Sequence, residues 1–64
     1  MQVGELYHSQ EHGLIVIRKV TLTHQSMAGA ALYKVVYQVI ADESRWSAHI
    51  TRDSWRMRFK SLSL

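Results

Sequence analysis

Residues 32–40 read LYKVVYQVI, and the fold turns on whether they form a helix or a strand. A helical stripe exists: Leu32, Val35, Val36 and Val39 fit a 3.6-residue period, and Ser26 stands where it would cap a helix running from Met27. Alternation fits as well, with Tyr33, Val35, Tyr37 and Val39 on one face. Three valines, one isoleucine and two tyrosines within nine residues suit a pleated surface better than a helix, and Gly29 would sit in the helix's first turns. The stretch is therefore read as a strand, and a helix over residues 27–39 is the competing arrangement.

The neighbouring segments extend the β reading. ADES (residues 41–44) makes a tight connection, because Asp and Ser side chains bond their own backbone in turns. RWSAHI (residues 45–50) then alternates, with Trp46, Ala48 and Ile50 inward and Arg45, Ser47 and His49 outward, completing a hairpin. Upstream, LIVIRKVTL (residues 14–22) is β-branched and apolar on both faces in its first half, as expected of a covered central strand. A first strand is expected around Val3 to His8, followed by the turn SQEHG, in which Gly13 takes positive φ without steric cost.

After the hairpin, TRDS starts a 3₁₀ or helical turn near residues 51–55, capped by Thr51 or Asp53. The chain then alternates again: Trp55, Met57 and Phe59 are expected inward, with Arg56, Arg58 and Lys60 on the wet face. After Lys60 the phase slips, and Leu62 and Leu64 point to a second surface. Without cover, so small a sheet must close or leave its edges bare. The expectation is an all-β fold, a small, strongly bent, five-stranded SH3-like barrel, forming a single domain over residues 1–64.

The order Gly4-x-x-Tyr7-His8, a Val/Ile-rich strand, Thr23-His24-Gln25-Ser26, Val35-Val36-Tyr37 and a late Trp46 and Phe59 resembles a bacterial family of short SH3-like barrels of unknown function. Met27-Ala28 stand where that family has acidic residues, and its closing R-P dipeptide is missing here. The resemblance implies the barrel fold and no established activity.

Size and composition narrow the function classes. Sixty-four residues without cysteine leave no disulfide, no thiolate ligand and little interior for a water-excluding pocket. No basic-then-apolar leader opens the chain and no apolar run approaches a membrane span, so a cytoplasmic protein is expected. His8-x-x-x-His12 has a zinc-like helical spacing, but SQEHG reads as a turn, so no metal and no cofactor is expected. Asp42-Glu43 diverge in a turn, and no nucleophile elbow or phosphate loop surrounds any serine, so no catalytic residue is assigned.

The net charge is +3, with two cations against two carboxylates in residues 1–32 and six against three in residues 33–64. Cations interleaved with aromatics can neutralise phosphates and stack on bases. The expectation is a non-enzymatic binding module that takes DNA or RNA through Arg45, Arg52, Trp55, Arg56, Arg58 and Lys60, with Tyr7 as a second stacking ring. The alternative is a protein-contact domain, either a homodimer or a small inhibitor of phage or plasmid type acting on a larger partner, with Leu62 and Leu64 in the interface.

Overall fold

The computed structural model describes residues 1–25, 29 and 31–62. The cap that Ser26 would give the competing helix and the interface role of Leu64 fall outside them. The elements are β1 (Leu6–Ser9), β2 (Gly13–Gln25), β3 (Ala31–Val39), β4 (Arg45–Thr51), α1 (Arg52–Arg58) and β5 (Phe59–Ser61). Residues 31–39 are thus strand, as their composition requires. All pairings are antiparallel, in the order β4-β3-β2-β1-β5. Before β1, Gly4 N–H donates to Ile17 O (2.8 Å) and Ile17 N–H to Glu5 O (3.0 Å), which prolongs the β1–β2 ladder towards the N-terminus.

Local chemistry sets the turns. Ser9 Oγ accepts from the backbone N–H of Glu11 (3.2 Å) and His12 (3.4 Å), and Gly13 follows at φ 74°. Between β3 and β4, Asp42 Oδ1 accepts from Ser44 N–H (3.0 Å) and Ser44 Oγ–H (2.6 Å). These two bonds hold the Asp42 carboxyl below its ordinary range. Glu43 takes φ 61°, a left-handed conformation that costs a side-chain-bearing residue.

The 13-residue β2 is bent in two places. Its register against β3 shifts between Ile17 and Lys19 and again between Leu22 and His24, leaving Arg18 and Thr23 unmatched. Each shift is a β-bulge, which bends a strand and tightens its twist. Side chains settle both: Arg18 Nε donates to Gln38 Oε1 (2.9 Å), and Thr23 Oγ1 donates to the Leu32 carbonyl (3.0 Å).

The sheet does not close into the expected barrel. β4 and β5 are its two edges, and the chain between them is helical. Seven residues span about 10 Å as a helix and about 23 Å as a strand, so α1 bridges the edges from below instead of extending either. It is longer than the turn expected near residues 51–55. Thr51 is the cap, its Oγ1 accepting from Ser54 N–H at 3.3 Å. Asp53 in the first turn and Arg56 and Arg58 in the last complement the helix dipole.

The expected strand face of Trp55, Met57 and Phe59 is therefore corrected. Trp55 lies in α1 and Phe59 is its C-cap, whose N–H bonds to the Trp55 carbonyl. Trp55 and Phe59 are 1% and 3% exposed, whereas Met57 is 88% exposed. Strand and helix periods agree at separations of zero and four and disagree at two. Met57 is thus the residue that distinguishes the two conformations, and it points to water.

One face of the sheet packs on α1. Its core holds Tyr7, Ile15, Ile17, Val35, Tyr37, Val39, Ile50, Trp55 and Phe59. The Trp55 and Phe59 rings stack at 3.9 Å between centroids, with Tyr7 edge-on to Trp55 (5.3 Å) and Tyr37 edge-on to Phe59 (5.5 Å). Such pairs add about 0.5–1.5 kcal/mol each beyond their burial. Ala48 is half-buried and Ile50 buried as expected, but Trp46 is 49% exposed, a second correction. It opposes Tyr37 at the rim of the inner face on edge strand β4, with no strand beyond it. Its ring lies against His12 (4.8 Å), and its Nε1–H donates to Ser44 Oγ (2.9 Å).

Candidate nucleic-acid interface

Side chains opposite one another in an antiparallel ladder share a face, so the register assigns every strand residue to the inner or the outer side. Tyr7, Ile15, Val39, Tyr37, Val35, Tyr33, Ile50, Trp46 and Phe59 are inner. The outer rows run Leu62–Leu6–Val16–Gln38–Arg45, Lys60–His8–Leu14–Ile40, Lys19–Val36–Ser47, Thr21–Lys34–His49 and His24–Leu32–Thr51. Leu62 and Ile40 join these rows through their N–H bonds to Leu6 O (3.1 Å) and Leu14 O (3.0 Å). Arg18, in the bulge, is outer through its bond to Gln38.

This sorting separates charge from aromatic rings. All five strand cations, Arg18, Lys19, Lys34, Arg45 and Lys60, are outer and exposed, and so are His8, His24 and His49. No strand carries a carboxylate: Glu5, Glu11, Asp42 and Glu43 lie in the segment before β1 and in the turns, and Asp53 in α1. All six aromatic residues are on the other side, Tyr7, Tyr33, Tyr37, Trp46 and Phe59 on the inner face and Trp55 beneath it.

The outer face itself has two zones. Leu62, Leu6, Val16, Leu14 and Ile40 form a compact apolar block on the residue after β5, β1, the start of β2 and the residue after β3, flanked by Lys60 and His8. Beyond it, across β2, β3 and β4, lie Arg18, Lys19, Lys34, Arg45, His24 and His49 among Ser47, Thr21, Gln38 and Thr51. Rows on one face are about 6–7 Å apart and strands about 4.8 Å apart, so this basic zone measures roughly 10 by 20 Å.

The expected basic stripe does not form as a unit. Lys60 and Arg45 share the outer face, but on opposite edge strands. Arg52, Arg56 and Arg58 belong to α1, beneath the inner face. Arg52 lies over the Tyr33 ring (6.0 Å), and Arg56 borders a depression with Arg52, Gln2 and Tyr7. Arg58 is 4.0 Å from Glu11 Oε1 and 5.6 Å from the centre of the Phe59 ring. Alternation would have aligned Arg56, Arg58 and Lys60; a helix turns successive side chains by about 100° instead.

Trp55 and Tyr7 cannot stack on a base, because both are buried. Tyr7 hydrogen-bonds to Glu5 Oε1 (3.2 Å), and burial first, with the Glu5 charge second, raises its hydroxyl pKa. The Trp55 indole N–H is buried with no hydrogen-bond partner among the described residues. His8 and His12 do not converge as the spacing-based zinc idea would need: His8 is on the outer face and His12 lies against Trp46.

Arg18, Lys19 and Lys34 were not expected at the site. The signal for Lys34 was present, since placing Tyr33, Val35, Tyr37 and Val39 on one face leaves Lys34 on the other. Arg18 and Lys19 are adjacent and cannot share a face in a regular strand; a bulge, which no residue type there announces, puts both outside. No protein-family model matches the chain, and no curated protein and no solved structure is significantly similar to it.

Proposed function

We propose that this protein is a non-enzymatic, cytoplasmic binding module that takes nucleic acid on the outer face of its sheet, through Arg18, Lys19, Lys34 and Arg45. One observation carries the reading: every strand cation lies on that face, and no strand residue is a carboxylate. Strand cations with no carboxylate interleaved among them hold a polyanion by displacing its counterions. The sheet order and the short helix before the last strand favour a relation to SH3-like barrels, and with it the family resemblance noted above.

The test is the salt dependence of binding. Four cations on a B-form duplex give a log K versus log salt slope of about −3.6. Lys34→Ser with Arg45→Ser should halve that slope with the circular dichroism spectrum unchanged. A flat dependence, or absence of binding in about 50 mM salt, refutes the reading.

A second reading rests on the apolar block. Leu6, Leu14, Ile40 and Leu62 are all more than a third exposed and adjoin one another through the register. The block fits a protein partner that presents apolar side chains ringed by carboxylates. Two copies meeting through this face would oppose cation to cation, so the isolated chain should sediment as a monomer. A dimer abolished by Leu6→Ser with Leu62→Ser would replace that heterologous partner with a second copy.

A further inference from the structure

We infer that the nucleic acid taken by the outer face is double-stranded, in preference to a single strand. The inference rests on the proposed function and sharpens it to a substrate class. Single-strand binders combine a basic groove with rings on which unpaired bases stack, and the stacking supplies much of their affinity. Here the strand cations and the rings are on opposite sides of one sheet, and the α1 cations Arg52 and Arg58 lie over the half-buried Tyr33 and the buried Phe59, rings with no free face for a base. Tyr7, Tyr37, Trp55 and Phe59 are in the core. Tyr33 opposes Ile50 on the inner face and lies under Arg52. Trp46 is accessible, but it faces the inner side and is covered in part by His12.

A base reaching any of these rings would have to leave the cationic zone and pass around the edge of β4. The zone itself offers only the imidazoles of His24 and His49, small rings beside Leu32 and Lys34 respectively. A single strand would therefore bind through phosphates alone. On those terms a duplex is the better ligand. It carries one charge per about 1.7 Å of axis, so about 20 Å of duplex holds about twelve phosphate charges, where each of its strands alone holds about six. The same contacts also release more counterions: slopes of about −0.9 per contact on a duplex and −0.7 on a single strand differ by about 0.8 in log K per decade of salt for four cations.

The bends in β2 serve the same end. A regular strand continuing from the inward Ile17 would place Arg18 outward and turn Lys19 inward; the bulge leaves both on the outer face. The Gln38 side chain, bonded to Arg18 Nε and to the Glu43 carbonyl (3.2 Å), holds it there. A row of cations fixed by the backbone suits the regular phosphate spacing of a duplex.

The experiment is fluorescence anisotropy with the full chain and three labelled probes of equal length: duplex DNA, duplex RNA and single-stranded DNA, each titrated between about 50 and 200 mM salt. At least one duplex should bind about fivefold or more tighter than the single strand. Which duplex binds tighter assigns DNA or RNA. Single-strand binding as tight as either duplex overturns the duplex preference and leaves the basic face standing. Binding to none of the three removes the face as well.

A gain-of-function variant gives an independent check. Ser47, exposed on the outer side of β4 opposite Val36, is a vacant platform position. Ser47→Trp should raise single-strand affinity about fivefold or more, because one stacked base is worth at least that factor, and should change duplex affinity much less. An equal gain for both ligands would show that rings were never the limiting ingredient, and would overturn the inference.

Discussion

Trp55 and Met57 sit two residues apart, and alternation treats them alike. The fold separates them completely. Trp55→Ala removes the central ring of the aromatic cluster and should cost about 3–5 kcal/mol. For a chain this small that approaches the whole of its stability, and thermal melting by circular dichroism should show no cooperative transition. Met57→Ser should shift stability by less than about 0.5 kcal/mol, since the side chain lies in water. Comparable losses at both positions would restore the strand reading of this segment. The buried hydroxyls of Tyr7 and Tyr37 make a second prediction at this scale. Both are pushed above the ordinary 10.0, mainly by burial, with Arg58 partly opposing the rise at Tyr37. A folded-state value raised above the unfolded one leaves stability intact below pH 10 and removes it as pH climbs towards the folded-state value, because the unfolded chain then loses protons first. Denaturant midpoints should therefore be flat through neutral pH and fall above about pH 10.

The helix and the two turns between strands are where short-range chemistry decides the outcome. Thr51→Ala removes the cap of α1 and should lower stability by about 1 kcal/mol, read as a drop in melting temperature. Glu43 is in the left-handed region without glycine's freedom, and Glu43→Gly should raise the melting temperature by relieving about 1 kcal/mol. A fall instead would mean that the Glu43 side chain supports the turn. Most of these features were legible in the residues: Thr51 or Asp53 as a cap, Asp42 and Ser44 as a turn, Gly13 at positive φ. The length of α1 was not. Residues 55–60 alternate well enough for a strand, and what favours the helix is the aromatic pair Trp55 and Phe59 closing under the sheet. That contact exists only once β1 and β3 present Tyr7 and Tyr37 to receive it.

Across the whole molecule, the strand cations and the aromatic rings are divided between the two sides of one sheet. Like charges crowded on the outer face repel one another, and salt screens that repulsion. The melting temperature should rise between about 10 and 150 mM salt, and the rise should shrink in the Lys34→Ser, Arg45→Ser variant. No rise would mean that the cations are too far apart to act as one surface. The chain as a sequence pointed to its second half as the cationic side, because the net excess lies there. The folded molecule gathers its cations differently, bringing Arg18 and Lys19 of β2 beside Lys34 of β3 and Arg45 of β4, and leaving Arg52, Arg56 and Arg58 on α1.

By itself the sequence pointed to the all-β class and the hairpin around residues 41–44, favoured a strand over a helix for LYKVVYQVI, and narrowed the cap of α1 to Thr51 or Asp53. These follow from side-chain shape, turn chemistry and a period of two, which act within a few residues. Tertiary structure alone decided that the sheet stays open over a helix, that Trp46 reaches the surface and Met57 does not turn inward, and which cations share a face. Each of those depends on which segment lies opposite which, set by register and by the two bulges in β2. A shift of one residue reverses a side chain's face without changing any residue's local preference.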